Sequence, residues 1–267
     1  MQKVALHGAP RSGTTWLANI FNSHENVAYR QQPLFSYAFK SFLDESSSLE
    51  KIEDFFSGIY ESKDEYLNQI QAIKDGKIPK FNKKEATHIV YKEVRYHYVL
   101  PNMLDKSSVK LIGIIRNPIA VLASFFKAPS EFEKVWKKEE EWKFASKKNQ
   151  GLKESYYGYE KWKETAEIFQ KLEERYGKDR VILIKYSDLL KDTLIMTEDL
   201  FGKVGLEITD QTINFIEECK SYDHPNAYSV FRTKSIDDAW KNSVSENIIT
   251  EIYSDLKNTN LEQYLTI

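Results

Sequence analysis

With one cysteine in 267 residues, Cys219, the chain has no internal disulfide and no cysteine-based zinc cage. No apolar run approaches the roughly 18 to 20 residues that cross a bilayer, which excludes a spanning helix. Neither sign of charge dominates: 38 Lys and Arg against 40 Asp and Glu leave a net charge of −2. Such a balance offers no field that would gather nucleic acid or an anionic membrane. An anionic ligand must instead be held by a few placed cations and by backbone amides. There is no internal repeat, low-complexity tract or Gly/Ser linker to divide the chain. No signal peptide precedes the first apolar strand pattern at Val4, so the sequence reads as cytoplasmic.

What is present fits a globular α/β protein. Apolar residues make up 41% and charged residues 29%, which excludes disorder, and the length suits one domain over residues 1–267. Aromatics reach 13%, with 16 Tyr and 15 Phe; most are core stock, and a surplus can line a cleft. Short buried-type strands are predicted at residues 4–7, 27–29, 86–94, 109–115 and 180–185. Helical spacing follows at 14–22, with Trp16, Leu17, Ile20 and Phe21 on one face, and at 119–126, where Pro118 suits the first turn. Residues 35–75 read as helical, broken by Ser46-Ser47-Ser48 and Gly58, the serines ending one helix and capping the next. Residues 131–176 read as one long charged helical stretch, the run from Lys137 to Glu141 being a solvated face. Beyond the strand at 180–185 the pattern is mainly helical, with Cys219 a small apolar residue in the helix around Phe215, except for an aperiodic segment at 221–240. Strands alternating with helices predict a three-layer sandwich around a mostly parallel central sheet.

The chemistry concentrates at the ends of two strands. Gly8-x-x-x-x-Gly13 sits between a strand and a helix and matches the spacing of a nucleotide phosphate loop. Thr14 stands where that loop carries its lysine, and the cation has moved inside, to Arg11. The central strand ends in Arg116 and not in an acid that would hold magnesium; Asp188 is the weaker candidate for that role. The loop therefore suits a 5′-phosphate bearing one more anionic group, with no metal required. Arg116-Asn117-Pro118, with Ser124 two turns along the next helix, forms a second anion site outside a strand's carboxyl end.

Pro10-Arg11-Ser12-Gly13-Thr14-Thr15-Trp16 resembles the 5′-phosphosulfate loop of the sulfotransferases that use PAPS (3′-phosphoadenosine-5′-phosphosulfate), of the bacterial and cytosolic type. Ile115-Arg116-Asn117-Pro118 with Ser124 resembles their 3′-phosphate motif, and the segment 234–241, ending in Trp240-Lys241, resembles the stretch that closes over that phosphate. The resemblance implies a P-loop-like sulfotransferase fold and transfer of a sulfuryl group from PAPS to a hydroxyl or amine, leaving PAP. Carried over, Arg11, Ser12, Gly13, Thr14 and Thr15 would hold the 5′-phosphate, with Arg11 stabilising the leaving group. Trp16 and Tyr186 would contact adenine; Arg116, Ser124, Arg232, Lys234 and Ser235 would hold the 3′-phosphate.

The family's usual bases are replaced: Val94 stands at the histidine position, two residues after the retained Lys92, and Gln32 stands at the glutamate position of the carbohydrate enzymes. Glu93 and His97 are the local substitutes, Glu93 needing a register shift because strand alternation opposes it to Val94. His7 reads as structural, while Gln32 can hydrogen-bond the acceptor. Gln32-Pro33-Leu34 and the aromatic stretch 35–42 point to a sugar or glycoconjugate acceptor, with small molecules the other class. Competing readings are a small-molecule kinase using ATP and magnesium, and a non-catalytic PAPS- or PAP-binding protein.

Overall fold

The computed structural model describes residues 1–223, 230–231, 233, 237–238, 240–241 and 243–266. Five strands, β1 (Gln2–His7), β2 (Val27–Gln31), β3 (His88–Glu93), β4 (Lys110–Ile115) and β5 (Val181–Lys185), form a sheet in the order β2-β3-β1-β4-β5. Every neighbouring pair is parallel. The helices are α1 (Thr14–Ser23), α2 (Leu49–Glu61), α3 (Ile70–Lys74), α4 (Leu100–Lys106), α5 (Pro118–Phe126), α6 (Lys138–Glu141), α7 (Ser146–Asn149), α8 (Tyr159–Tyr176), α9 (Tyr186–Lys191), α10 (Thr193–Val204), α11 (Asp210–Ser221) and α12 (Glu246–Leu256).

Strand alternation splits the core in two, which produces the three layers. Ala5, Ile89, Tyr91, Leu111 and Val181 face one cluster, built with α2, α4, α5, α8 and α12. Val4, Leu6, Val90, Ile112, Ile114, Ile182 and Ile184 face the other, built with α1, α10 and α11. Cys219 is buried in this second cluster, as its apolar helical setting predicts. Gly113 lets α8 lie close to β4, since a Cβ there would sit 2.8 Å from Phe169.

Two long stretches differ from the helices expected of them. Residues 36–48 are turns and irregular chain, while α2 runs through Gly58 without a break. Ser48 does cap α2, accepting from the Lys51 amide at 3.1 Å, a contact that stabilises a helix by about 1 kcal/mol. Between 131 and 176 the chain makes two single turns, α6 and α7, before α8 begins. The reason is tertiary: Phe125, Phe132, Ala145 and Tyr157 bury a small core of their own, which a continuous helix could not close upon. Among the described residues no helix is long and apolar enough to cross a membrane.

Candidate active site

The chain moves from β1 to one side of the sheet for β2 and β3, then crosses back to β4 and β5. This switch leaves a crevice beyond the carboxyl ends of β1 and β4, where parallel α/β sheets place ligands. A cavity of about 860 Å³ opens there, lined by Arg11, Gly13, Thr14, Thr15, Trp16, Arg116, Ser124 and Tyr186 among others.

The loop after β1 is shaped by two left-handed residues, Arg11 at φ 71° and Gly13 at φ 88°. Gly13 is the N-cap of α1 and supplies no side-chain cap, and the first turn carries no acid. The amides there are free to face an anion. Ser12 adds a fully buried hydroxyl with no partner among the described residues. A Cβ on Gly13 would lie 2.5 Å from the Tyr186 ring, and one on Gly8 would lie 2.8 Å from the Ile114 carbonyl oxygen. Replacing Gly13 by alanine therefore combines a left-handed backbone with a clash. The expected outcome is a loss of about 1 to 3 kcal/mol in urea unfolding, with ligand affinity at the loop falling as α1 is pushed off Tyr186.

The loop after β4 works differently. Asn117 caps α5 itself, accepting from the amides of Ile119 at 2.9 Å and Ala120 at 3.4 Å. Those donors are occupied, so an anion beside β4 must be held by side chains. Arg116 and Ser124 supply them, and both reach the first loop: Arg116 Nη1 donates to the Arg11 carbonyl at 2.8 Å, and Arg11 Nε donates to Ser124 Oγ at 3.1 Å. The two motifs, more than a hundred residues apart in sequence, thus share one cluster.

Sequence reasoning missed Asp237, whose carboxylate accepts from Arg116 at 2.7 and 2.5 Å. Burial is the largest influence and opposes the Arg116 charge, but the hydrogen bond to Asp237 and the charges of Tyr186 and Asp237 together outweigh it, and the guanidinium pKa is raised. Tyr186, the first residue of α9, lies with its ring 4.6 Å from the Arg116 guanidinium and 6.2 Å from the Trp16 ring. Asp188 is exposed on the same helix and does not line the cavity. Among the described residues no group of three or more His, Cys, Asp and Glu side chains could hold a metal ion. Arg232, Lys234 and Ser235 lie outside the described residues.

The candidate catalytic residues around the end of β3 separate by which of them reach the cavity. Lys92 lines the cavity, with Nζ donating to Thr15 Oγ1 at 3.3 Å; burial lowers its pKa, against the raising effect of Glu93. Glu93, the next residue, points to the opposite face and is fully buried outside the cavity lining. Its Oε1 accepts from the Leu34 amide at 2.8 Å. The register pairs His7 with Glu93 directly, with none of the shift that base chemistry at Glu93 would need. His97 is equally misplaced: it is fully buried, with its Nδ1 3.0 Å from Nδ1 of His7, and it does not line the cavity. His7 is structural as expected, its Nε2 3.1 Å from the Tyr91 hydroxyl.

The same cavity is also lined by Gln31, Gln32, Phe35, Tyr66, Gln69, Arg95, Glu131, Lys148 and Tyr157. Arg95 stacks 4.1 Å from the Phe35 ring centre and donates to Gln32 Oε1 at 3.1 Å and the Tyr157 hydroxyl at 3.0 Å. Only Gln32 and Phe35 here carried a signal in the sequence; Glu131 and Tyr157 stand in the stretch that reads as one long charged helix.

No curated protein sequence matches the chain. Among solved structures it is similar to mouse sulfotransferase SULT7A1 complexed with PAP, at 17% identity over 99% of this chain and 87% of that one, with a TM-score of 0.58. It is also similar to retinol dehydratase in complex with androsterone and the inactive cofactor PAP, at 17% identity over 98% and 83% of the two chains, TM-score 0.55. A sulfotransferase from Alicyclobacillus acidocaldarius gives 15% identity over 83% and 90%, TM-score 0.52. These likenesses establish the fold, the P-loop-like α/β arrangement expected of the two motifs. The family is fixed by the sequence itself: the sulfotransferase domain model matches residues 1–261, and the chain belongs to that family.

Proposed function

We propose that this protein, acting as one domain in the cytoplasm, transfers the sulfuryl group of PAPS to a hydroxyl of a sugar or glycoconjugate. The observation that carries the first half is the joining of two anion sites, by Arg116 on the Arg11 carbonyl and Arg11 on Ser124, with Thr14 where a triphosphate loop has lysine. One site takes the 5′-phosphosulfate on the amides of residues 13–15 and the Ser12 hydroxyl; the other takes the 3′-phosphate on Arg116 and Ser124. Trp16 and Tyr186 face the adenine, and the two structures complexed with PAP share this fold. Arg232, Lys234 and Ser235 complete the reading as further 3′-phosphate contacts.

The reaction is an in-line displacement in which the protein positions reactants and offsets moving charge. Arg11 and Lys92 are the cations beside the transferring group, and they stabilise the oxygen that leaves with its electron pair. The acceptor half rests on other residues of the same lining. Phe35 and Tyr66, both partly exposed with ring centres 6.3 Å apart, offer apolar faces. Gln31, Gln32 and Gln69 place amides beside them, and Gln69 Oε1 has no partner among the described residues. Aromatic faces bordered by amides suit a sugar ring, which presents C–H on one face and hydroxyls at its rim.

Calorimetric titration with PAP, ATP and ATP plus magnesium, on wild type and Arg11→Ala, tests the reading. Metal-independent PAP binding near micromolar (about −8 kcal/mol) that weakens at least tenfold in the variant is expected. Tight magnesium-dependent ATP binding with indifference to PAP would move the protein to the kinases. PAP binding without turnover of PAPS toward any acceptor would make it a sensor.

A further inference from the structure

With Glu93 and His97 turned away, the cavity still contains a carboxylate. Glu131 follows α5 and lines the cavity with a side chain 16% exposed. Its Oε1 accepts from the Tyr157 hydroxyl at 3.4 Å, while Oε2 is buried with no hydrogen-bond partner among the described residues. Arg11 Nε lies 3.6 Å from Oε2, beyond a hydrogen bond and within an ion pair. Tyr157 thus fixes one oxygen and leaves the other aimed into the cavity beside the cation of the phosphate loop.

We propose that Glu131 is the general base of this site, taking the acceptor proton on Oε2. The assignment rests on the sulfuryl-transfer reading. The acceptor oxygen forms a bond to sulfur as the bond from sulfur to the phosphate bridge oxygen breaks. That oxygen leaves with its electron pair as part of PAP, beside Arg11, and the acceptor proton passes to the carboxylate. An in-line geometry places the entering and leaving oxygens on opposite sides of sulfur. A base and a leaving-group cation a few ångströms apart along one wall can serve both.

The charged and titratable groups around Glu131 come from several elements. Arg11 of the first loop, Lys92 of β3, Lys148 of α7 and Tyr157 all interact with it. Three of the four are cations. A general base works only in its ionised form, so this role for Glu131 gives the rate an acid limb that the residue itself sets. A bland alternative, that Glu131 merely neutralises Arg11, predicts a change in PAP affinity and no change in the shape of the pH profile.

The test uses PAPS with water as acceptor, followed under single turnover as release of PAP and sulfate from pH 4.5 to 8.5. PAP titration is run in parallel. Glu131→Gln is expected to slow release about 100-fold and to abolish the acid limb of the wild-type profile. PAP affinity should stay within about threefold of wild type or tighten. Glu133→Gln, an exposed acid two residues on, serves as the control and should match wild type. A Glu131→Gln rate within threefold of wild type with the same acid limb overturns the proposal, as does a wild type that binds PAP and releases no sulfate. Failure of the wild type to bind PAP would instead sink the sulfuryl-transfer reading itself. Should Glu131→Gln prove unfolded by circular dichroism, Glu131→Asp decides: a slower rate with a displaced acid limb supports the assignment, and an unchanged profile overturns it.

Discussion

Replacing Arg116 by alanine is expected to cost about 3 to 5 kcal/mol of stability and to weaken PAP binding at least 100-fold, about 2.7 kcal/mol. The two losses have different origins. Arg116 makes both of its bonds to Asp237 from a largely buried position, and Asp237 is itself only 6% exposed. Removing the guanidinium strands a carboxylate in a low-dielectric cluster, the expensive way to break such a pair. The same change removes the donor that holds the Arg11 carbonyl, the cation under Tyr186, and the proposed 3′-phosphate contact.

The double variant Arg116→Met with Asp237→Asn separates these effects. Stability should recover most of the loss, because neither charge remains to be solvated, while PAP affinity stays low. Urea unfolding and calorimetry on the three proteins provide the comparison. If the double variant binds PAP like wild type, Arg116 belongs to the fold and not to the ligand.

The second large effect is on acid stability. His7 is fully buried, and burial holds its pKa down to about 3 against an ordinary value of 6.5. His97, 3.0 Å away, is pulled well below 6.5 by burial and by His7 and Lys161. Both are neutral in the native protein and protonate readily once unfolded. The unfolded state therefore binds more protons below pH 6.5, and stability falls as the pH drops. Each histidine contributes a slope approaching 1.4 kcal/mol per pH unit at full protonation of the unfolded side chain.

Glu93 acts in the opposite sense over part of this range. Burial raises its pKa from 4.5 to about 8, so the native state holds its proton and stability declines as the pH rises between those values. Two histidines outweigh one glutamate on the acid side. Above pH 6.5 the glutamate is opposed by Lys83 and Lys92, whose pKa values burial lowers to about 7 and about 8, so that the unfolded state binds more protons there. The expected profile is a steep loss toward acid below pH 6.5 and a shallow dependence above it. Chemical denaturation at half-unit intervals from pH 4.5 to 8 measures it. His97→Gln should lower the acid slope by about 1.4 kcal/mol per pH unit, and a variant with an unaltered slope would remove the histidine pair as its cause.

The contrast between the loops after β1 and β4 and the cavity wall formed by residues 131–157 shows what a linear pattern carries. The residues at 8–16 and 115–118 are local: a strand end, a turn and a helix start follow within a few residues, and each fixes its own backbone. The strand at 110–115 is likewise visible as an unbroken apolar run because both its faces are covered. Residues 131–158 misread as helix because their charge pattern records exposure on one side only. The inward contacts, Phe132 on Phe125 and Tyr157 on Phe125, join positions many residues apart.

The choice among Lys92, Glu93 and His97 depends on which face of β3 meets the cavity, and one residue of register reverses it. Of the three, Lys92 lines the cavity, while Glu93 and His97 do not. No short-range signal in the sequence marks Glu131 or Asp237. By itself the sequence determined the parallel α/β class, the two strand-end motifs and the family, since these are encoded in contiguous residues. Tertiary structure alone decided which carboxylates face the cleft, because side-chain direction at a strand end or in a loop is set by long-range packing.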